Sequence, residues 1–363
     1  MSIFHAMENW SGMIPQRGKP FPGVWKSCWA AVLLFPLSAC SPVSSHAVIA
    51  GHTMGTTYSV RIAHVQVRPR DLRRLQADVD AELAEVNRQM STWDPGSEIS
   101  CFNRAGANEP VAISPEFQFV VRRALEIAEA TDGAFDPTVG ALVNLWGFGP
   151  DGLRRAAPAP DQIAAARAVI GWRHLHLLPD GRIEKEIADL KLDLGAIAKG
   201  FGVDRVAALL RGRGLENFLV EIGGETLGVG RNDPGEPWRV GVLKPDGSTD
   251  LHGVVRLTGG NAIATSGDYR NFYRDENGEL RAHIVDPRTA APVGHAVASV
   301  SVRAGDCLTA DALATALFVL GPDEGLPLLA ARFPGCEALF LVRDGAEGFR
   351  EVATAGFDLR RTP

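Results

Sequence analysis

"LDLGAIAKGFGVD", residues 192–204, decides how the rest of the chain is read. An apolar run ends at a carboxylate, Asp193, turns through Gly195, and goes on with Lys199 between small residues and two more glycines. A plain core needs none of that order. The preceding "KLDL" alternates like a strand, and residues 197–211 place Val203, Val206, Leu209 and Leu210 at helical spacing. A strand is therefore predicted to turn directly into a helix start. Helix N-terminal amides point outward and favour negative groups. A lysine in that first turn is unfavourable for the helix itself and makes sense beside an anion such as phosphate. The spacing is neither GxxxxGK[ST] nor GxGxxG, which excludes a P-loop and a dinucleotide fingerprint. The plain alternative is a surface lysine beside a capping aspartate.

On the N-terminal side, "TYSVRI" alternates and reads as a strand. Residues 71–90 carry Leu72, Leu75, Val79, Leu83, Val86 and Met90 as one stripe of an amphipathic helix. A second helix is predicted over 115–131, capped by Ser114 with Pro115 at its first position. "PAPDQIAAARAVIG" reads as a third, ended by Gly171, and "RHLHLL" and "GRIEKE" as a hairpin around Pro179-Asp180-Gly181. On the C-terminal side come short strands, "NFLVEIGG", "TLGVG", "WRVGVL", "GVVRLT", "NAIATSG", "AHIVD" and "ASVSVRA", then helices at 309–320 and 323–332 and a last strand, "EALFLVR". Strands and helices interleave without strict alternation. That predicts an α+β (mixed α/β) fold, one large domain over 48–363 with mixed sheets and flanking helices, rather than a doubly wound sheet.

The chain has 363 residues, 45% hydrophobic and 22% charged, which is ordinary globular composition. A net charge of −6, with no long basic run after residue 30, argues against nucleic acid as a partner. The first forty residues differ. Arg17, Lys19 and Lys26 precede "CWAAVLLFPLSAC", with no acidic residue between Glu8 and Cys40. The apolar stretch of about a dozen residues is too short to span roughly 30 Å of hydrocarbon and matches an export signal over 1–39. Leu37-Ser38-Ala39-Cys40 resembles a bacterial lipobox, which would lipidate Cys40; residues 40–47 then form a polar tether. The alternative is a buried N-terminal helix, and Met7 and Met13 are possible starts. Cys101, Cys307 and Cys336 lack a CxxC pair and read as buried small hydrophobes, with one disulfide left open.

Further stretches can carry chemistry. In "TADALATALFVLG", Asp311 and Thr315 stand four apart on one helix side, a partial oxygen shell for a hard cation such as Mg²⁺. In "GHTMGTTYSV", Met54 lies beside Gly55, where a thioether packs in a loop or against an aromatic ligand. Trp93 in "MSTWDPGSEISCFNR" sits in an Asp-Pro-Gly turn, a half-exposed stacking platform or a lid on the core. "DGAFDPTVGALVNLWGFG" offers only Asp132 and Asp136 as titratable groups. "AHIVDPRT" brackets a short strand with His283 and Asp286, a base with its orienter or an ordinary structural histidine.

Together these stretches, with "VEIGGE" and "AIATSGDYRNFY", occur in the order seen in the ApbE-type FAD:protein FMN transferases, and the resemblance covers roughly residues 50–345. It implies that FAD is the substrate and Mg²⁺ the cation at its pyrophosphate. It places Met54 and Trp93 on the flavin, Trp93 standing where tyrosine is common, and puts Ala134, Phe135 and Asp136 on the cofactor. It implies that Asp193 binds the nucleotide, that Lys199 lies close to FAD, and that Val285 and His283 line the same pocket. The metal shell maps to the Ala196 carbonyl, Asp311 and Thr315. The implied reaction moves FMN to a threonine or serine hydroxyl of an acceptor protein through a phosphoester and releases AMP. His283 is the candidate base, with Asp286 as orienter and Lys199 assisting. Typical acceptors are subunits of membrane respiratory complexes, which fits an enzyme lipid-anchored at the periplasmic face of the inner membrane. An FAD pyrophosphatase and a non-enzymatic FAD-binding lipoprotein are the rival readings.

Overall fold

The computed structural model of the chain describes residues 46–152, 156–276, 278–345 and 348–361. The expected export signal, the lipidation site Cys40 and nearly all of the tether lie outside the described residues. The chain enters on a hairpin of β1 (Ala47–Thr53) and β2 (Thr56–Ile62), joined by Met54 and Gly55 at φ 48° and 70°. Two left-handed central residues make the turn that suits the twist of antiparallel strands. The predicted amphipathic helix is α1 (Pro69–Met90), which buries Leu75, Val79, Leu83, Val86 and Met90. After it come α2 (Glu98–Arg104), α3 (Pro115–Ala130), α4 (Gly140–Leu145) and α5 (Pro160–Arg167). α3 starts where its signals predict, with the Ser114 hydroxyl accepting from the Phe117 amide. The hairpin β3 (Leu175–Leu177) and β4 (Ile183–Lys185) leads to α6 (Ala198–Gly212).

The second half is mostly strand: β5 (Phe218–Ile222), β6 (Glu225–Val229), β7 (Trp238–Leu243), β8 (Leu251–Leu257), β9 (Ala262–Gly267), β10 (Phe272–Arg274), β11 (Leu280–Ala282), β12 (Val285–Asp286), β13 (Ala291–Pro292) and β14 (Val297–Ala304). Then come α7 (Cys307–Arg332), β15 (Glu337–Asp344), β16 (Gly348–Ala353) and β17 (Leu359–Arg360). One antiparallel sheet of eight strands runs in the order β1-β2-β5-β6-β9-β14-β15-β16. Its faces are separated by strand alternation. Ala338 and Phe340 of β15 join the core beneath α1, α3, α6 and α7, whereas Leu339 and Leu341 face Trp238, Val255 and Leu257 of a second sheet, β17-β8-β7. Because both faces are covered, β14 is buried along almost its whole length. Helices on one face of an antiparallel sheet make this an α+β fold, as the unalternating element order predicts.

Several expectations are corrected. "KLDL" is not a strand; Lys191 makes an isolated parallel bridge to Val139, because Asp193 already folds into a turn. "AHIVD" is divided between β11 and β12, which pair into two separate ribbons. α5 stops at Arg167, short of Gly171, which lies at φ 132°. The two helices expected at 309–320 and 323–332 are both present, separated by a kink at Gly321, φ 70°, within the span labelled α7. Cys101 is exposed rather than buried, and Cys101, Cys307 and Cys336 are all free thiols.

What positions the site is the crossing of α6 and α7, where each helix supplies a carboxylate to the other's first turn. Asp204 on α6 accepts from the Cys307 and Leu308 amides, both at 2.9 Å. Asp311 on α7 accepts from the Gly200 amide at 3.0 Å. Burial pushes the Asp204 carboxyl up to about 7, and the two amides only partly offset it. The crossing is tight enough that a Cβ on Gly200 would stand 2.3 Å from the Cys307 carbonyl oxygen. Gly200→Ala is expected to lower unfolding free energy by about 2 kcal/mol, the usual cost of overpacking a rigid contact. Urea denaturation checks this; an unchanged midpoint would contradict the close approach.

Candidate active site at the α6–α7 junction

Lys199 occupies the first turn of α6, where its charge opposes the helix dipole. The structure supplies its counter-charges. Its Nζ lies 3.3 and 3.4 Å from the two Asp311 oxygens and 3.3 Å from Glu225 Oε1. Both carboxylates are buried, Asp311 at 2% and Glu225 at 4% exposure. Burial opposes the lysine's charge, but Asp311 and Glu225 outweigh it and hold its pKa above the ordinary lysine range. The Glu225 carboxyl is itself raised, first by burial. Neither a surface lysine nor a chance cap describes this arrangement.

Gly200 is the third residue of α6, where an amide has no acceptor within its own helix, and Asp311 supplies one. Thr315 follows one turn after Asp311, its hydroxyl 3.1 Å from Ser266 Oγ of β9. The Ala196 carbonyl, which precedes the helix, would join a buried carboxylate and a hydroxyl in an all-oxygen donor set that fits Mg²⁺, which retains waters and needs few protein ligands. It is not a carboxylate cage: no group of three His, Cys, Asp or Glu side chains suited to a metal occurs among the described residues.

Asp193 forms an Asx turn, Oδ1 accepting from the Gly195 amide at 2.8 Å, and its other oxygen has no partner among the described residues. Burial raises its pKa. Met54 comes to the same helix, for a Cβ on Gly202 would stand 2.8 Å from its Cε. Its turn is tied to the end of α1 by Asn87 Nδ2 donating to Thr53 Oγ1 at 2.9 Å. Trp93, just past α1, is 67% exposed, which suits a stacking surface better than a core lid. Ala134, Phe135 and Asp136 turn inward. Asp136 accepts from the Thr138 amide and hydroxyl at 2.8 and 2.6 Å and from the Trp172 amide at 3.1 Å. A ligand can meet this segment only through its backbone. Val285 is buried with Leu142, Trp146 and Ala290.

His283 is partly exposed, its ring edge-on to Phe148 with centroids 6.4 Å apart. Its Nδ1 lies 3.2 Å from the Asn271 carbonyl, so in the neutral ring Nδ1 donates and Nε2 keeps its lone pair. Burial is the main cause lowering its pKa to about 4. Asp286 is not its orienter, which corrects the sequence reading. The Asp286 carboxylate accepts from the Arg288 amide and guanidinium at 2.8 to 3.2 Å and shapes the following turn. Glu225 is the residue that sequence reasoning missed. It lay in the quoted "VEIGGE", and its signal was a carboxylate directly after the Gly223-Gly224 turn in a strand otherwise apolar and small. A separate cavity of about 730 Å³, lined by Phe119, Phe201, Asp204, Arg205 and Leu308, contains none of the clustered side chains.

Comparison with known proteins places this geometry. The sequence model of the ApbE family matches residues 54–340. The chain is similar to a Vibrio cholerae protein named FAD:protein FMN transferase, 41% identical over 335 residues, 92% of this chain and 97% of the relative. A Haemophilus influenzae protein of the same name is 39% identical, with 82% and 87% covered. Among solved structures, the Vibrio cholerae flavin transferase ApbE superposes with a TM-score of 0.77 at 40% identity, over 86% of this chain and 98% of that one. The apo Pseudomonas stutzeri flavinyl transferase ApbE gives 0.76 at 36%, over 85% and 95%.

Proposed function

The chain belongs to the ApbE family, and from that premise we propose that it moves the FMN half of FAD onto a threonine or serine hydroxyl of another protein, with Mg²⁺ required and AMP released. The observation that carries the reading is the contact of Lys199 with the buried Asp311 at the start of α6, an ammonium and a carboxylate side by side, partners for a pyrophosphate and for its cation. The acceptor oxygen forms a bond to the FMN-side phosphorus, the bond from that phosphorus to the bridging oxygen breaks, and the electron pair leaves on AMP. Such a step needs alignment and charge neutralisation more than covalent help.

Each part is assigned to this chain's residues. Lys199 neutralises charge on the phosphoryl oxygens and leaving group. His283 Nε2 takes the proton of the attacking hydroxyl, its ring held by the Asn271 carbonyl. Asp193 accepts from donors of the nucleotide, and Met54 and Trp93 hold the flavin, Trp93 by its exposed face. The backbone of Ala134, Phe135 and Asp136 and the buried Val285 shape the wall. Asp311, Thr315 and the Ala196 carbonyl would hold Mg²⁺, which when bound supplies Lewis-acid charge at the pyrophosphate. Lipidation at Cys40 would keep the enzyme at the periplasmic face of the bacterial inner membrane, where the acceptor is a subunit of a membrane respiratory complex.

Chromatography of the products separates this reading from hydrolysis. With FAD, Mg²⁺ and acceptor present, AMP is expected in clear excess over free FMN, the difference being flavin on the acceptor. Equal AMP and FMN, whatever the acceptor, would make the protein a pyrophosphatase. Unchanged FAD would make it a binding protein.

A further inference from the structure

Glu225 is the buried group at the junction that the reaction above leaves without a task. It opens β6 directly after the Gly223-Gly224 turn, and one oxygen, Oε1, lies 3.3 Å from Lys199 Nζ. The other, Oε2, has no hydrogen-bond partner among the described residues. An unpartnered carboxylate oxygen in a residue only 4% exposed is costly and marks a partner that arrives in another state of the site. Lys199 is meanwhile shared, at 3.3 to 3.4 Å, between Oε1 of Glu225 and both oxygens of Asp311. A divalent cation on Asp311 would claim the oxygens that Lys199 now faces and repel its ammonium. The lysine stem passes close to the Gly223 backbone, where an added Cβ would stand 3.4 Å from its Cδ.

We infer that Glu225 is a positioning residue that takes Lys199 over from Asp311 when the cation binds, both its oxygens then facing the ammonium. This rests on the metal reading of Asp311. It makes Glu225 a determinant of cation affinity without being a ligand, because it lowers the cost of clearing Lys199 from Asp311.

The test uses the full chain without FAD and Mn²⁺ as probe, which takes the same oxygen donors and whose free fraction is read by electron paramagnetic resonance. Glu225→Gln is expected to weaken Mn²⁺ binding about tenfold, the scale seen for groups that support a ligand from behind. In a Lys199→Met background the same substitution is expected to change binding less than about twofold, because no ammonium remains to be moved. Glu225→Asp, which keeps the charge and retracts it, is expected to behave like Glu225→Gln. Thermal melting of each variant confirms that it folds. An equal loss in both backgrounds, or wild-type affinity in Glu225→Asp, would reduce Glu225 to a background charge and overturn the inference. Mn²⁺ binding that Asp311→Asn abolishes but Glu225→Gln leaves intact would overturn it alone. Binding unaffected by Asp311→Asn would overturn the metal reading and the inference with it.

Discussion

Asp311→Ala is expected to lower kcat/KM for flavin transfer by about 10³-fold, the scale of removing a charge-stabilising group from a buried reaction centre. Three effects fall on the one carboxylate. It is the charged member of the set fitted for Mg²⁺, it accepts the Gly200 amide, and it faces Lys199 through both oxygens. Its removal leaves the buried Gly200 amide, at the start of α6, without an acceptor. Added Mg²⁺ is expected not to rescue the variant. Steady-state transfer measured across Mg²⁺ concentrations decides it, with circular dichroism to confirm folding. Wild-type turnover at saturating Mg²⁺ would remove Asp311 from the metal shell.

His283→Ala is the second large effect, a fall in kcat of about 10²–10⁴-fold, the range for losing a positioned general base. The pH profile makes the expectation specific. Because burial lowers the His283 pKa to about 4, its Nε2 is already free of a proton across the neutral range. The acid limb of kcat/KM, which reports the free enzyme, is expected near pH 4 rather than near the ordinary histidine value of about 6.5. The linkage sign agrees. The unfolded chain binds this proton more readily, so the contribution of neutral His283 to stability is present above about pH 6.5 and is lost as pH falls toward 4. An acid limb near 6.5, or a His283→Ala enzyme with full kcat, would assign the proton elsewhere.

What the sequence carried and what it did not follow from distance along the chain. α1 was legible because its stripe is local: Leu75, Val79, Leu83 and Val86 repeat at the helical period, and the same residues are buried. The start of α3 was legible from Ser114 and Pro115 for the same reason. "KLDL" misled because alternation over four residues does not reveal that Asp193 closes a turn on Gly195. β10 and β16 went unannounced although each pairs with the neighbouring strand of its own hairpin: β10 is only three residues long, and β16, Gly348–Ala353, is half-exposed and carries no clean apolar alternation.

The site divides in the same way. Lys199, Asp193, Asp311 and Thr315 could be singled out from spacing, and Ala196 through family resemblance. Glu225 could not be given a role, because its partner Lys199 lies across the β5–β6 turn on a different element. Asp286 looked like a natural orienter of His283 by proximity in sequence, yet Arg288, two residues further on, holds its carboxylate. The crossing of α6 and α7, which brings Asp311 to Gly200, depends on Gly200 having no side chain. That requirement is visible only when both helices are in place.

The most direct test of the central claim is intact mass spectrometry of an acceptor domain incubated with this protein, FAD and Mg²⁺. The account expects a gain of one FMN phosphoester, lost with EDTA and lost when the acceptor hydroxyl is replaced by alanine. An acceptor of unchanged mass while FMN and AMP accumulate in solution would contradict it.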